Sequence, residues 1–157
     1  MIALAMETAA VKGFMGCLLR ENLLDEFEVR NVEIGLSTRI SINGTLEAAK
    51  TDETENAVPA GYITWEALRP LVYAIIKTSA KPNIVKIVFS YKAQEAKSIH
   101  TNAAALFLNM IYENGTVSFT TATAQKEFAL DKSLDDIWDE WVRAFFTRKS
   151  IAVADRA

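Results

Sequence analysis

The side chains in this sequence that could do chemistry are few, and their types exclude most reactions. There is one cysteine, Cys17, and one histidine, His100. A thiolate nucleophile needs a group that lowers its pKa or takes its proton, and Cys17 with His100 is the single Cys–His pair available. Cys17 falls beside the apolar stripe of a helical segment, where a free cysteine behaves as a small buried hydrophobe. His100 falls in a surface loop. Zinc sites built on thiolates and imidazoles need more such ligands than these two residues supply. No glycine-rich phosphate loop, Gly-x-Ser-x-Gly elbow or His-Glu-x-x-His pair occurs. No catalytic residue, metal site or cofactor is therefore assigned.

Three other groupings carry charge or aromatic surface. Asp131, Asp135, Asp136, Asp139 and Glu140 form an acidic cluster. Helical spacing puts Asp135 and Asp139 on one side and Asp136 and Glu140 on the next. Magnesium sites usually combine one or two carboxylates with substrate phosphates. Acids near a helix start also favour the helix dipole, and the preferred reading is a solvated charged face opposite an apolar one. Trp138 and Trp141 belong to that apolar stripe and are expected in the core. Arg69 sits in a mostly apolar helix beside Pro70 and close to Trp65. A buried arginine needs a carboxylate or several carbonyls. An internal acid, such as one from the last helix, is favoured over an anionic ligand.

The elements that must position these residues follow from periodicity. Val11, Phe14, Met15, Leu18 and Leu19 repeat with helical spacing behind Thr8, with Gly13 and Gly16 lowering that helix's intrinsic stability. Val32, Ile34, Leu36, Ile40 and Ile42 predict a hairpin. A loop at Ser37-Thr38-Arg39 pairs Leu36 with Ile40 and Ile34 with Ile42, keeping the apolar residues on one face. Asn43-Gly44 then reads as a kink or bulge inside the second strand. Ala48 to Gly61 is a polar, acidic loop. Thr64 caps a helix over Trp65–Lys77 that is apolar over most of its circumference. Ile84 to Tyr91 is a strand, and Ala93 to Ala104 is ambiguous. The strongest local signal is Asn114-Gly115, the preferred type I′ pair. It pairs Tyr112 with Val117, Met110 with Phe119 and Leu108 with Thr121. Ser133-x-x-Asp136 resembles a capping box before a last helix with Leu134, Ile137, Trp138, Trp141, Val142 and Phe145 on one stripe.

These elements predict an α+β fold: a mainly antiparallel sheet of about five strands with three helices packed on one face. The domain is expected to span residues 1–149, with a frayed tail over 150–157. The 157 residues suffice for one core without disulfides, and the composition is 50% hydrophobic and 24% charged, a globular balance. The net charge of −3 argues against a nucleic-acid partner, which would require a concentrated positive field. Neither a signal peptide nor a bilayer-spanning stretch is seen, so a cytoplasmic, non-membrane protein is expected. The two Asn-Gly-Thr triplets, at Asn43 and Asn114, are read as backbone signals rather than glycosylation sites.

Several stretches taken together carry a resemblance. They are Trp65-Glu66-Ala67-Leu68-Arg69-Pro70, Lys86-Ile87-Val88-Phe89, Leu106-Phe107-Leu108-Asn109 leading to Asn114-Gly115, and Leu130-Asp131-Lys132-Ser133-Leu134 followed by Trp138-Asp139-Glu140. Over nearly its whole length the chain resembles a small bacterial family of unknown function. The resemblance implies a bacterial cytosolic protein and brings no activity with it.

What remains is the second face of the sheet. Lys86, Ser90, Lys92, Asn109, Ser118 and Thr120 point away from the core, with Val88, Phe107 and Ile111 among them. A one-sided antiparallel sheet shows water a polar face. The apolar residues mixed into it make a ligand groove or subunit interface the alternative. The leading expectation is a non-enzymatic binding or assembly module, self-associating through this face. The second is a binder of an anionic small molecule, or an enzyme acting on one. Its candidate ligand residues are Arg69, Lys86, Ser90, Lys92, Asn109 and Thr120.

Overall fold

The computed structural model of the chain describes residues 1–47, 61–78 and 81–156, so nearly all of the acidic loop expected over 48–61 lies outside it. The described elements are β1 (Ala3–Met6), α1 (Thr8–Arg20), β2 (Glu28–Gly35), β3 (Arg39–Asn43), α2 (Trp65–Lys77), β4 (Ile84–Ser90), a short 3₁₀ turn running into α3 (Ala96–Ile99), β5 (Ala103–Glu113), β6 (Thr116–Gln125), α4 (Ser133–Arg148) and β7 (Val153–Asp155). The strands form one antiparallel sheet in the order β3-β2-β4-β5-β6-β1-β7.

The α+β class with an antiparallel sheet stands. The described residues hold seven strands and four helices rather than about five and three. The difference lies in α3 and β7, pieces of three or four residues too short to carry a period, and in β1, where Met1 to Met6 alternate only weakly. β7 comes from the tail expected to fray. It pairs with β1 and is anchored by buried Ile151 and by an ion pair from Arg143 of α4 to Asp155.

The β5–β6 hairpin forms in the predicted register, with Asn114 and Gly115 at φ 51° and 78° as a type I′ turn requires. The β2–β3 hairpin turns where expected, but two residues out of register. Ile34 faces Ile40 and Val32 faces Ile42, so the loop is Leu36-Ser37-Thr38, closed by the Leu36 N–H donating to the Thr38 carbonyl at 2.8 Å. A shift of two preserves which face is apolar, which is why the pattern alone could not fix it.

One core cluster joins the helices to the inner sheet face. Phe27 meets Phe89, Trp141 and Phe145 edge-on, and Phe14 meets Phe119 the same way. The buried Trp65 and Trp138 indoles donate to the carbonyls of Leu18 and Phe107 at 3.0 and 2.8 Å, so neither N–H is left unpaired. Pro70 lies inside α2 without ending it.

The acidic cluster departs from the solvated face expected of it. Asp135 and Asp139 point at the sheet and accept hydrogen bonds from Thr123 and Thr121 of β6. These threonines lie on strand positions otherwise filled by Val117 and Phe119, and a carboxylate turned inward must be satisfied there. The expected capping box is also absent. Ser133 is the first helical residue, and Asp131 before it accepts from the Ser133 N–H at 3.0 Å.

Candidate functional site

The side of the sheet away from α1, α2 and α4 has no helix packed on it among the described residues. Across it, Asn31, Val88, Asn109, Thr120 and Ala3 lie side by side in one row, and Glu33, Lys86, Ile111, Ser118 and Ala5 in the next. All ten are half-buried, as side chains standing on an uncovered sheet are.

Within this face one side chain is held as a binding group would be. β2 carries a bulge between Val29 and Asn31, and Arg30 is its extra residue. In a regular strand Arg30 would share a face with Val32 and Ile34. The bulge lets Val29 and Val32, both fully buried, occupy the core together and turns Arg30 outward. Its guanidinium carbon lies 3.7 Å from the centre of the Tyr62 ring and 5.1 Å from that of Phe107. Its Nε donates to Ser90 Oγ at 3.1 Å. No ion pair among the described residues includes Arg30. Stacking and the Ser90 bond fix the plane of the fork. No acceptor among the described residues takes its terminal N–H groups, and a guanidinium fork can meet an oxyanion in a bidentate way.

A crossing of backbones holds this arrangement. The Gly44 N–H donates to the Arg30 carbonyl at 3.0 Å, and the Ile63 N–H donates to the Gly44 carbonyl at 2.8 Å. The Val29 N–H donates in turn to the Ile63 carbonyl, and Thr45 bridges Tyr62. The segment carrying Tyr62 therefore sits beside β2 at the bulge. A Cβ on Gly44 would lie 1.8 Å from the Val29 carbonyl oxygen, so this approach requires glycine. The irregularity foreseen at Asn43-Gly44 thus belongs to β2, and β3 ends before Gly44.

The six candidates from the sequence separate into three places. Ser90, Asn109, Thr120 and Lys86 share the outer face, and Asn109 Nδ2 reaches Thr120 Oγ1 at 3.4 Å. Lys92 does not join them. β4 ends at Ser90, the chain turns, and exposed Lys92 lines a polar cleft of about 400 Å³ with Asp25, Glu26, Glu66 and Lys149. Arg69 lies in the helical layer. Its Nε and Nη2 donate to the two carboxylate oxygens of Asp25 at 2.9 and 2.8 Å. That bonding holds the guanidinium proton more tightly than usual. Two of its donors are thus taken by an internal carboxylate, the kind of partner favoured for it over an anionic ligand. The acid comes from the α1–β2 connection rather than from the last helix.

Arg30 was invisible to sequence reasoning because alternation places it in the core. The signal that could have found it is the three-residue spacing of Val29 and Val32, which no regular strand can bury on one face.

Ser133, His100 and Asp131 also meet, in an order unsuited to nucleophilic catalysis. The Asn102 N–H donates to His100 Nδ1, which leaves the proton on Nε2, 3.0 Å from Ser133 Oγ. Ser133 Oγ donates to Asp131 at 2.5 Å. In a catalytic triad the imidazole stands between hydroxyl and carboxylate and takes the hydroxyl proton. Here the serine stands in the middle and donates its hydrogen bond to the acid. The chain of bonds tethers the loop before β5 to the start of α4. Cys17 hydrogen-bonds Glu21, which raises its pKa and disfavours the thiolate.

Among the described residues no group of three or more His, Cys, Asp or Glu is placed to hold a metal ion, and no helix is long and apolar enough to cross a membrane. No curated protein and no solved structure was found to match the chain. Residues 17–154 match the sequence profile of a family of unknown function (DUF5721), and the chain belongs to that family.

Proposed function

We propose that this protein is a non-enzymatic binding module whose outer sheet face recognises an anionic group through Arg30. The observation that carries this reading is the guanidinium set over the Tyr62 and Phe107 rings and bonded to Ser90. Ordering an arginine side chain normally opposes binding. Here that ordering is met before a ligand arrives, and the aromatic contacts contribute about 1 kcal/mol towards it. Asn31, Asn109 and Thr120 add neutral donors on neighbouring strands. The setting carried with this reading is the bacterial cytosol.

The test is a backbone-amide NMR titration with inorganic phosphate and, separately, acetate. Saturable shifts are expected around Arg30, Ser90 and Phe107, and Arg30→Gln removes them without changing the melting temperature by more than about 2 °C, the usual range for a surface change. Shifts that are absent, or that persist in Arg30→Gln, overturn the proposal.

The apolar side chains of the same face favour a second reading, pairing with another copy of the chain. Val88, Ile111, Ala3 and Ala5 stand on it between polar neighbours, and the face also carries Glu33 beside Lys86, a self-complementary charge pair. Seven strands spaced at about 4.8 Å and about seven residues long give a flat area of roughly 650 Å² per copy. That approaches the ~800 Å² per partner of a standard interface. Sedimentation velocity decides it: a dimer that Ile111→Glu splits supports the reading, and a monomer at 100 times the working concentration removes it.

A further inference from the structure

We infer a second binding site, for a single-chain amphiphile with an anionic head, in the groove between α1, the end of α2 and the β5–β6 turn. The groove encloses about 570 Å³, within the ~300–1,000 Å³ of small-molecule sites. Its walls are Val11, Met15 and Leu19 of α1, Ile76 of α2, and Pro82 and Tyr112. These positions do not converge on a polar group as a nucleotide or sugar site would. Val11, Leu19, Pro82 and Tyr112 are buried in the body of the protein, and Met15 and Ile76 are half-exposed along the opening.

The charged residues lining the groove are Lys12 and Lys81, both exposed, and neither forms an ion pair among the described residues. They come from different elements, one from the second turn of α1 and one from the approach to β4, yet border the same opening. Thr8, the first residue of α1, stands at the same rim, and that helix has no acidic residue in its first turn. The acids nearest in sequence are Glu7, before α1, and Glu113, on a strand position that alternates to the outer face. An apolar trough with cations at its rim matches a hydrocarbon chain lying in the groove and a carboxylate meeting the lysines. A cationic or uncharged amphiphile fits the walls but not the rim. The site is separate from Arg30 and shares no residue with it.

The experiment uses the full chain and sodium decanoate below its micelle-forming concentration, with decyltrimethylammonium as the same chain bearing the opposite charge. Methyl NMR reads the resonances of Val11, Met15, Leu19 and Ile76. Decanoate is expected to shift them saturably and the cationic amphiphile to leave them in place. Lys12→Glu with Lys81→Glu lowers decanoate affinity about tenfold, since each exposed charge contributes modestly. Ile76→Trp fills a half-exposed position of the groove and abolishes binding with the amide spectrum of the rest of the fold retained. If Ile76→Trp fails to fold, Met15→Trp on the facing wall gives the same reading. No saturable shift with decanoate overturns the proposal, as does equal binding of both amphiphiles. It is equally overturned if the protein sediments with anionic phosphatidylglycerol vesicles while ignoring free decanoate, which would make this surface a membrane contact.

Discussion

Replacing Gly44 with alanine tests the backbone crossing that holds Arg30 outward. The added Cβ would lie 1.8 Å from the Val29 carbonyl oxygen and 2.7 Å from its carbon, both main-chain atoms that cannot rotate away. Real Cβ atoms essentially never come within 3.0 Å of a neighbour, so the two backbones must separate by at least 1.2 Å, the difference from 1.8 Å. The bonds from Gly44 to the Arg30 carbonyl and from Ile63 to Gly44, now 3.0 and 2.8 Å, would stretch past bonding distance. Two lost backbone bonds cost about 1 kcal/mol each, and moving fully buried Val29 adds to that, for a total of about 3 kcal/mol. For a chain of this size that is a fall of about 10 °C in Tm. Gly13 is the matched control. It lies in α1 with nothing within 4 Å of its would-be Cβ, so Gly13→Ala should stabilise by about 1 kcal/mol. Urea denaturation followed by tryptophan fluorescence reads both variants. A Gly44→Ala protein within about 0.5 kcal/mol of the parent, the range of ordinary surface changes, would refute the crossing.

Arg69→Met leaves Asp25, whose side chain is 14% exposed, without its partner. It should destabilise by about 2–3 kcal/mol in chemical denaturation, with Arg69→Met/Asp25→Leu recovering much of the loss; equal loss in both would contradict the pairing. Cys17 should react with a disulfide reagent at pH 8 more slowly than a free thiol, because Glu21 and burial raise its pKa, and Glu21→Gln should speed the reaction. Asp131 should titrate below its ordinary value of 3.8, since both Ser133 hydrogen bonds favour the carboxylate. Its folded pKa is depressed, so its contribution is present above 3.8 and lost as pH falls through the lower folded value. Ser133→Ala should move the Asp131 midpoint, followed by carboxyl-carbon NMR, upward; no movement would contradict the assigned bonds.

The parts of this fold legible in the sequence are those where two local signals coincide. At β5–β6 the Asn114-Gly115 turn and the alternation of Leu108, Met110 and Tyr112 specify one register, and that register forms. At β2–β3 alternation acts without a special turn, so the face was determined and the register was not. β7 needed knowledge of its partner, because a three-residue strand exists only by pairing with β1. For the candidate site, Ser90, Asn109 and Thr120 followed from simple alternation. Lys92 was misplaced because alternation was continued past Ser90, where the strand ends. Arg30 depends on a bulge, a crossing glycine and an aromatic ring more than thirty positions away, and no periodic pattern encodes that combination. The inward turn of Asp135 and Asp139 likewise depends on Thr121 and Thr123 of a different element.

The central claim is that the Arg30 guanidinium is held in place yet open to a ligand, and its own side-chain resonances report this most directly. The Nε–H bonded to Ser90 should exchange slowly with water in the ligand-free protein. The terminal Nη groups should exchange fast and slow down only as inorganic phosphate is added. Nη protons already protected without phosphate, and unmoved by it, would show the fork occupied by the protein's own groups and contradict the account.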